Sequence, residues 1–172
     1  PIEIVDSRSA SLGLGLLAVA AARHAAAGHD AHAVAEHVRG LVPRMRVLFV
    51  VDTLEYLHKG GRIGGAKRLV GSVLSIKPVL HIENGQIEPL ASVRTKSKAI
   101  AHMLEVVLGE MKGKKHIHAG IIHAVAPQDA AAIKQQILAV VQPDELLLNE
   151  LTPVIGANVG PGVLGMGYYT EE

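Results

Sequence analysis

The stretch VVDTLEYLHKGGRIGGA, residues 50–66, carries most of the information about this chain. It overlaps a continuous apolar run at residues 47–51, which is typical of a strand buried on both faces of a sheet. It ends in a basic loop with four glycines, Gly60, Gly61, Gly64 and Gly65. Glycine lets other groups approach the backbone closely, and the planar guanidinium of Arg62 suits a carboxylate or a phosphate. The loop therefore predicts an anion site beside a buried strand.

The composition indicates one globular domain, residues 1–172, with an aliphatic core. Hydrophobic residues make up 49% of the 172 positions and charged residues 19%, whereas aromatic residues make up only 2%. A formal net charge of +1 and the scarcity of aromatic side chains argue against nucleic acid as the main partner. The absence of cysteine excludes disulfides and thiolate metal sites, and it suits the cytoplasm, which is the expected location.

Local patterns predict an α/β fold in which a mixed β-sheet packs with α-helices. Strands are predicted at residues 2–5, 47–51, 116–125 and 146–151. Helices are predicted at residues 12–27 with Ser11 as cap, 31–41 with Asp30 as cap, within 67–76, 96–111 and 127–141. Asn84-Gly85 between two strand-like segments predicts a β-hairpin, and the last two strands with their helix predict a βαβ unit. Residues 152–162 are predicted to be a second glycine-rich loop.

The sequence lacks the motifs of several common catalytic and nucleotide-binding sites. The glycine loop has neither a Walker nor a Rossmann pattern, which argues against a nucleotide, and no serine or cysteine nucleophile motif is present. The ten histidines lack metal-ligand spacing and are interpreted as scattered surface residues, so neither a metal nor a cofactor is predicted. Asp52 and Thr53 are either ligand groups or caps of the next turn. Arg94 and Lys96 either attract an anion or are solvated charges at a helix start.

Several separated motifs follow one another in a family's order: VDSRSASLGLG at residues 5–15, DTLEYL at 52–57, GGRIG at 60–64, LSIKP at 74–78, VRT at 93–95 and PVIGANVGPG at 153–162, with Gly165. Together they resemble the C-terminal portion of the DegV family of bacterial fatty-acid-binding proteins. The resemblance implies that residues 1–45 bridge to a preceding N-terminal domain.

The resemblance also implies a function, namely a non-catalytic carrier of one long-chain fatty acid. Such a carrier presents the carboxylate to a separate fatty-acid kinase subunit, which makes the acyl phosphate for phospholipid synthesis. Arg62 is then expected at the head group with Asn158 and Gly160, and Arg94 is expected to face the kinase. Asn158 stands where many family members have histidine. The acyl chain is expected to contact an apolar wall formed by Ile63, Leu69, Val73, Leu74 and Ile76.

Two other functions stay open at the level of the sequence. One is an enzyme of small-molecule metabolism with a polar cleft at Asp52 and Arg62. The other is a structural domain that forms homo-oligomers through apolar surface near residues 60–76. The apolar run at residues 12–22 is too short to span a bilayer and is expected to be a buried helix, so no stable membrane insertion is predicted.

Overall fold

In the residues that the structure describes, 2–72 and 76–171 of a computed structural model, six strands form one mixed sheet between layers of helices. The strands are β1 (Arg46–Val50), β2 (Lys77–Glu83), β3 (Gln86–Val93), β4 (Ile117–His123), β5 (Glu145–Glu150) and β6 (Leu164–Thr170). The helices are α1 (Leu12–Ala26), α2 (Ala31–Leu41), α3 (Glu55–Lys59), α4 (Lys96–Met111), α5 (Pro127–Leu138) and α6 (Pro153–Val159), with 3₁₀ helices at Val42–Arg44 and Gly64–Ser72. The predicted fold class is confirmed.

The strand order is β3-β2-β1-β6-β4-β5. Neighbouring strands are antiparallel except β4 and β5, which are parallel and joined by α5. Strand β1 lies in the interior of the sheet, as its apolar run predicts. Strand β6 was not predicted, because Gly165 and Gly167 interrupt its apolar pattern. Both glycines are instead required by packing, since a Cβ at Gly165 would lie 2.8 Å from that of Phe49.

The two faces of the sheet belong to different parts of the core. Leu48 and Val50 of β1 face the cluster that includes buried residues of α4 and α5. Val47 and Phe49 point the other way, into a cluster that includes Leu57 of α3 and residues of both glycine-rich segments. A third cluster joins α1 and α2 to Tyr169 of β6. The alternation along β1 therefore places the glycine-rich loop on the face opposite α4 and α5.

The N-terminal predictions are partly wrong. Residues 2–5 form no strand, and Ile2 and Ile4 are 93% and 84% exposed, because an apolar alternating segment becomes a strand only where another strand pairs with it. Ser11 has φ 52° and makes no side-chain bond to the α1 terminus. The Ser7 hydroxyl instead donates to the Ser9 carbonyl at 3.2 Å. The prediction for α2 is correct, since Asp30 accepts a bond from the Ala33 amide at 2.9 Å.

The segment predicted as a second glycine-rich loop contains a helix. Pro153 stands in the first turn of α6, where a missing amide hydrogen costs nothing. Gly156 is tolerated inside the helix, and Gly160 ends it at φ 82° and ψ 173°. The prediction of a continuous loop is therefore wrong for residues 153–159 and holds only for the short segment that follows them. Within the described residues, no helix combines the length and the apolar character needed to cross a membrane.

Three histidines stack at the junction of α1 and α2, which corrects their interpretation as scattered residues. The ring of His24 lies 3.8 Å from that of His29 and 4.3 Å from that of His37, between centroids. Desolvation, followed by repulsion from these two rings, lowers the pKa of His24. Arg23 beside it is bound to Glu145 on β5 rather than to the stack. The folded chain therefore favours the neutral form of His24.

This lowered pKa makes stability sensitive to acid. In the unfolded chain His24 has its ordinary pKa of 6.5. As the pH falls, His24 is therefore protonated at a higher pH in the unfolded chain than in the folded chain. We expect the free energy of unfolding to fall as the pH drops below 6.5, and His24→Gln to reduce this fall. Urea titrations above and below pH 6.5 measure the free energy of unfolding. The control is His58→Gln, because His58 is exposed and lies outside the stack. An equal reduction in both variants would contradict the prediction.

Candidate functional site

The structure brings the two glycine-rich segments together. A Cβ built on Gly60 would lie 2.5 Å from Oδ1 of Asn158, and one built on Gly160 would lie 2.7 Å from Cε2 of Tyr56. Asn158 sits in the last turn of α6, where its amide Nδ2 donates to the Val154 carbonyl at 2.9 Å. We call residues 60–65 and 160–162 the paired glycine loops. Gly60 packs against Asn158 of α6 and Gly160 packs against Tyr56 of α3, so neither position has room for a larger side chain.

An apolar cluster beneath the paired glycine loops packs against both of them. Ile63 of the first loop is buried with Leu57 of α3, and the same cluster contains Val159 and Val163, which flank the second loop. Partly buried side chains, including Leu69 and Ile155, pack against it. The two loops therefore meet at one corner of the fold, although about 100 residues separate them in sequence.

Arg62 lies on the exposed side of this corner. Its NH1 group donates to the carbonyl of Gly60 at 2.9 Å, so part of the guanidinium braces its own loop. A guanidinium has five N–H donors, and the ones that point outward remain suited to a planar anion. Nearby, Lys59 donates to Glu55 at 2.6 Å, and this hydrogen bond lowers the pKa of Glu55 and raises that of Lys59. Lys59 is thus held within α3.

A cleft of about 1020 Å³ begins at Arg62. The lining residues are Gly61, Arg62 and Gly64 of the loop, residues 6 and 8–10 of the N-terminal segment, and the β2–β3 hairpin. The hairpin contributes the apolar side chains of Ile82 and Ile87 next to the polar Asn84 and Gln86. The volume is at the upper end of the range of about 300–1,000 Å³ found for ligand pockets. Asp52 does not line this cleft, so a shared polar cleft of Asp52 and Arg62 is not what the described residues form.

Two smaller clefts follow, of which only one shares lining residues with the cleft at Arg62. One, of about 560 Å³, shares residues 6, 8, 9, 82 and 84 with it and continues along the N-terminal segment. The next, of about 540 Å³, shares Val5 and Ser7 and lies between α1 and α2. The described residues that line this last cleft are mostly alanine, valine and leucine. The surface beside Arg62 therefore changes from polar to apolar with distance from the guanidinium.

A separate polar junction lies at the end of β1. Thr53 caps the next turn by accepting from the amide of Glu55 at 3.2 Å, which leaves the Asp52 carboxylate to pair with Lys96 at 3.1 Å. The ammonium of Lys96 also donates to the carbonyl of Gly162 at 2.6 Å. The interpretation of Lys96 as a solvated charge is therefore wrong. Arg94 is exposed immediately before Thr95, whose hydroxyl accepts from the Lys98 amide and caps α4.

The remaining predicted residues differ in their placement. Ile76 is half-buried just before β2, whereas Val73 and Leu74 lie outside the described residues. The sequence did not identify Tyr56 or Lys96 as partners of the second loop. Tyr56 carried a signal, because an aromatic residue beside four glycines is a natural packing partner in a chain with so few aromatic residues. The link of Lys96 to Gly162 spans 66 positions and has no local signature.

Comparison with known proteins identifies the family of this chain. The sequence matches the model of the DegV family over residues 1–171, and the chain belongs to that family. A DegV domain-containing protein of Streptomyces coelicolor is 40% identical over 167 residues, which are 96% of this chain and 59% of the relative. A second, from Clostridium acetobutylicum, is 37% identical over 171 residues, which are 99% of this chain and 60% of the relative.

Solved structures show the same fold. A DegV family protein from Thermus thermophilus, described as fatty-acid binding, matches with a TM-score of 0.91 and 36% identity, over 98% of this chain and 60% of that one. DegV from Bacillus subtilis, described as a fatty-acid-binding protein, matches with a TM-score of 0.85 and 29% identity, over 97% of this chain and 60% of that one. The chain spans about three-fifths of the length of these relatives.

Proposed function

We propose that this chain forms part of a fatty-acid carrier that holds one long-chain fatty acid and presents its carboxylate to a separate kinase. The observation that carries the proposal is the position of Arg62, an exposed cation at a cleft whose hairpin side contributes the apolar side chains of Ile82 and Ile87. A fatty acid needs both features, because its carboxylate favours a charged hydrogen-bond donor and its chain favours apolar surface. The carrier has no catalytic residue in this proposal, and the kinase supplies the chemistry.

The head-group end of the proposed site consists of Arg62, Asn158 and Gly160. Asn158 can donate a hydrogen bond but brings no charge, so Arg62 supplies the positive charge in this arrangement. Ile63 and Leu69 support the loop from the apolar cluster, and Ile76 extends the apolar wall toward β2. Descriptions of the Thermus and Bacillus structures as fatty-acid-binding proteins support this assignment. Arg94, exposed beside the α4 terminus, is the proposed contact for the kinase.

Replacing Arg62 with methionine tests the head-group end. Arg62→Met keeps most of the side-chain volume but removes every N–H donor, so we expect the dissociation constant for oleate to rise about tenfold in the full-length polypeptide. Oleate methyl ester has no carboxylate charge, so its affinity should be nearly the same for the variant and the unaltered protein. Titration calorimetry or native mass spectrometry measures both affinities.

Lys67→Met is the matched control, because Lys67 is an exposed cation of the same segment and does not line the cleft at Arg62. It should leave oleate binding unchanged. An unaltered protein that binds neither oleate nor other added fatty acids would overturn the proposed function. Equal losses in Arg62→Met and Lys67→Met would instead indicate a general effect of surface charge and remove Arg62 from the site.

A further inference from the structure

Lys96 joins three segments of the chain at one point. From the first turn of α4, its ammonium lies 3.1 Å from Oδ1 and 3.2 Å from Oδ2 of Asp52, at the end of β1. It donates at 2.6 Å to the carbonyl of Gly162 in the second glycine loop. An ammonium has three donors, and these three oxygens match them in number. Lys96 is therefore bound from two sides rather than resting on the surface.

Partial burial distinguishes the Lys96–Asp52 ion pair from an ordinary surface ion pair. The side chain of Lys96 is only 27% exposed and that of Asp52 42%. Lys77 at the start of β2 donates to the backbone carbonyl of Asp52 at 2.6 Å, which holds the residue from the other side. Charge-assisted hydrogen bonds in a partly buried setting are stronger than exposed pairs, which contribute little. Asp52 thus serves as a fixed anchor for the Lys96 ammonium.

The junction also leaves no room for a side chain on the loop. Gly162 has φ 78°, and a Cβ there would run into Oδ2 of Asp52 and lie 3.0 Å from Nζ of Lys96. The amide of Gly162 donates to the Ala124 carbonyl at 2.7 Å, so the loop is tied to the end of β4 as well. A residue at this position therefore contacts Lys96 through its backbone alone, and the loop cannot shift without breaking that bond.

The junction connects the segment that carries the proposed kinase contact to the proposed head-group loop. Arg94 is two residues before Lys96, and Thr95 between them is fixed as the cap of α4. Asn158 and Gly160 precede Gly162 by four and two residues. A displacement of the start of α4 relative to the loop would therefore strain the hydrogen bond between Lys96 and Gly162.

We propose that Lys96, anchored by Asp52, is a positioning residue that holds Arg94 at a fixed place relative to the 160–162 loop, so that a kinase docked at Arg94 meets the bound carboxylate. This inference rests on the proposed function. In the step concerned, a carboxylate oxygen forms a bond to the γ-phosphorus of ATP held by the kinase. The bond from that phosphorus to the ADP oxygen breaks, and ADP leaves. Such transfers depend strongly on placement.

The test compares Lys96→Met with the unaltered full-length polypeptide. The measured quantities are the dissociation constant for oleate, and kcat and KM for the oleate-loaded carrier in acyl phosphate formation by the fatty-acid kinase of the same bacterium with ATP. We expect oleate affinity to change less than about twofold and kcat to fall about tenfold. Lys96→Arg should restore most of kcat, because a guanidinium retains charged donors.

Lys98→Met is the matched control, since Lys98 is an exposed cation in the same helical turn and should leave kcat unchanged. If Lys96 acts through Arg94, the double variant Arg94→Ala, Lys96→Met should have the same kcat as Arg94→Ala alone. Should Lys96→Met fail to fold, Asp52→Asn removes the anchoring charge instead and is expected to lower kcat in the same direction.

Other results would overturn the inference. An unchanged kcat in Lys96→Met, or losses of kcat that add fully in the double variant, would show that Lys96 does not position Arg94. A parallel loss of oleate affinity and kcat would assign Lys96 a purely structural role. If the unaltered protein binds oleate but yields no acyl phosphate, presentation to the kinase and this inference fall together. A protein that binds no fatty acid overturns the proposed function itself.

Discussion

Replacing Gly160 with alanine is expected to lower the free energy of unfolding by about 2–4 kcal/mol, which combines backbone strain with overpacking. Gly160 has φ 82° and ψ 173°, a region that is nearly restricted to glycine. The added methyl group would also press into the Tyr56 ring, because its position lies 2.7 Å from Cε2 and 3.0 Å from Cγ. The backbone strain cannot be relieved locally, and the steric contact is relieved only if Tyr56 moves away from the buried Gly160.

The same substitution should also weaken fatty-acid binding. Relief of the contact requires Tyr56 to move, and the carbonyl of Tyr56 accepts the bond from the Gly60 amide at 2.8 Å. A shift of Tyr56 therefore reaches the loop that carries Arg62. We expect the dissociation constant for oleate to rise in Gly160→Ala even at temperatures where the variant stays folded. Titration of the folded variant separates this effect from the loss of stability.

Gly156 offers a matched control in the same helix. No heavy atom lies within 4 Å of a Cβ built there, and the residue is inside α6. Gly156→Ala should therefore stabilise the fold by about 0.5–1 kcal/mol, because alanine has the higher helix propensity. Urea titration of both variants in the full-length polypeptide measures the contrast. Equal stabilities of the two variants would show that Gly160 does not make the close contact with Tyr56 described above.

Elements with a strong local pattern could be predicted from the sequence. The span of α4 follows from apolar residues at helical spacing and from Thr95, whose hydroxyl caps it. Strand β1 follows from its apolar run. Strand β6 and helix α6 could not be predicted in this way, because their glycines read locally as breaks. Only distant neighbours, such as Phe49 against Gly165, explain why glycine is the residue that fits.

The candidate site shows the same division. Arg62 and its glycines stand out in the sequence because a charged residue inside a flexible loop is a local feature. The junction of Asp52, Lys96 and Gly162 is invisible there, since 44 positions separate Asp52 from Lys96 and 66 separate Lys96 from Gly162. Each residue alone has an ordinary explanation as a turn cap, a surface charge or a loop glycine. Their shared chemistry arises only when the sheet order brings β1, α4 and the end of β4 together.

Replacing Ile121 with alanine is expected to lower the free energy of unfolding by about 2–5 kcal/mol. Ile121 lies in the middle of β4, is fully buried and belongs to the cluster beneath α4 and α5. It pairs with Met166 of β6 on one side and with Leu148 of β5 on the other. Truncation leaves a cavity between strands that are held by ladders on both sides, so the surrounding core can collapse only partly.

Leu148→Ala is the control that separates the effect of burial from the effect of shortening an aliphatic side chain. Leu148 is the register partner of Ile121 in the parallel pair, but it stands on the edge strand β5 and is 36% exposed. Its truncation removes a similar side chain and should cost only about 1–2 kcal/mol, because part of the side chain is already exposed to water and neighbours at the sheet edge can close the gap. Urea titrations of both variants in the full-length polypeptide should give equal slopes and well-separated midpoints. Ile121 and Leu148 lie on the same face of neighbouring strands. Comparable losses of unfolding free energy in the two variants would mean that β5 is as buried as β4, which would contradict its position at the edge of the sheet.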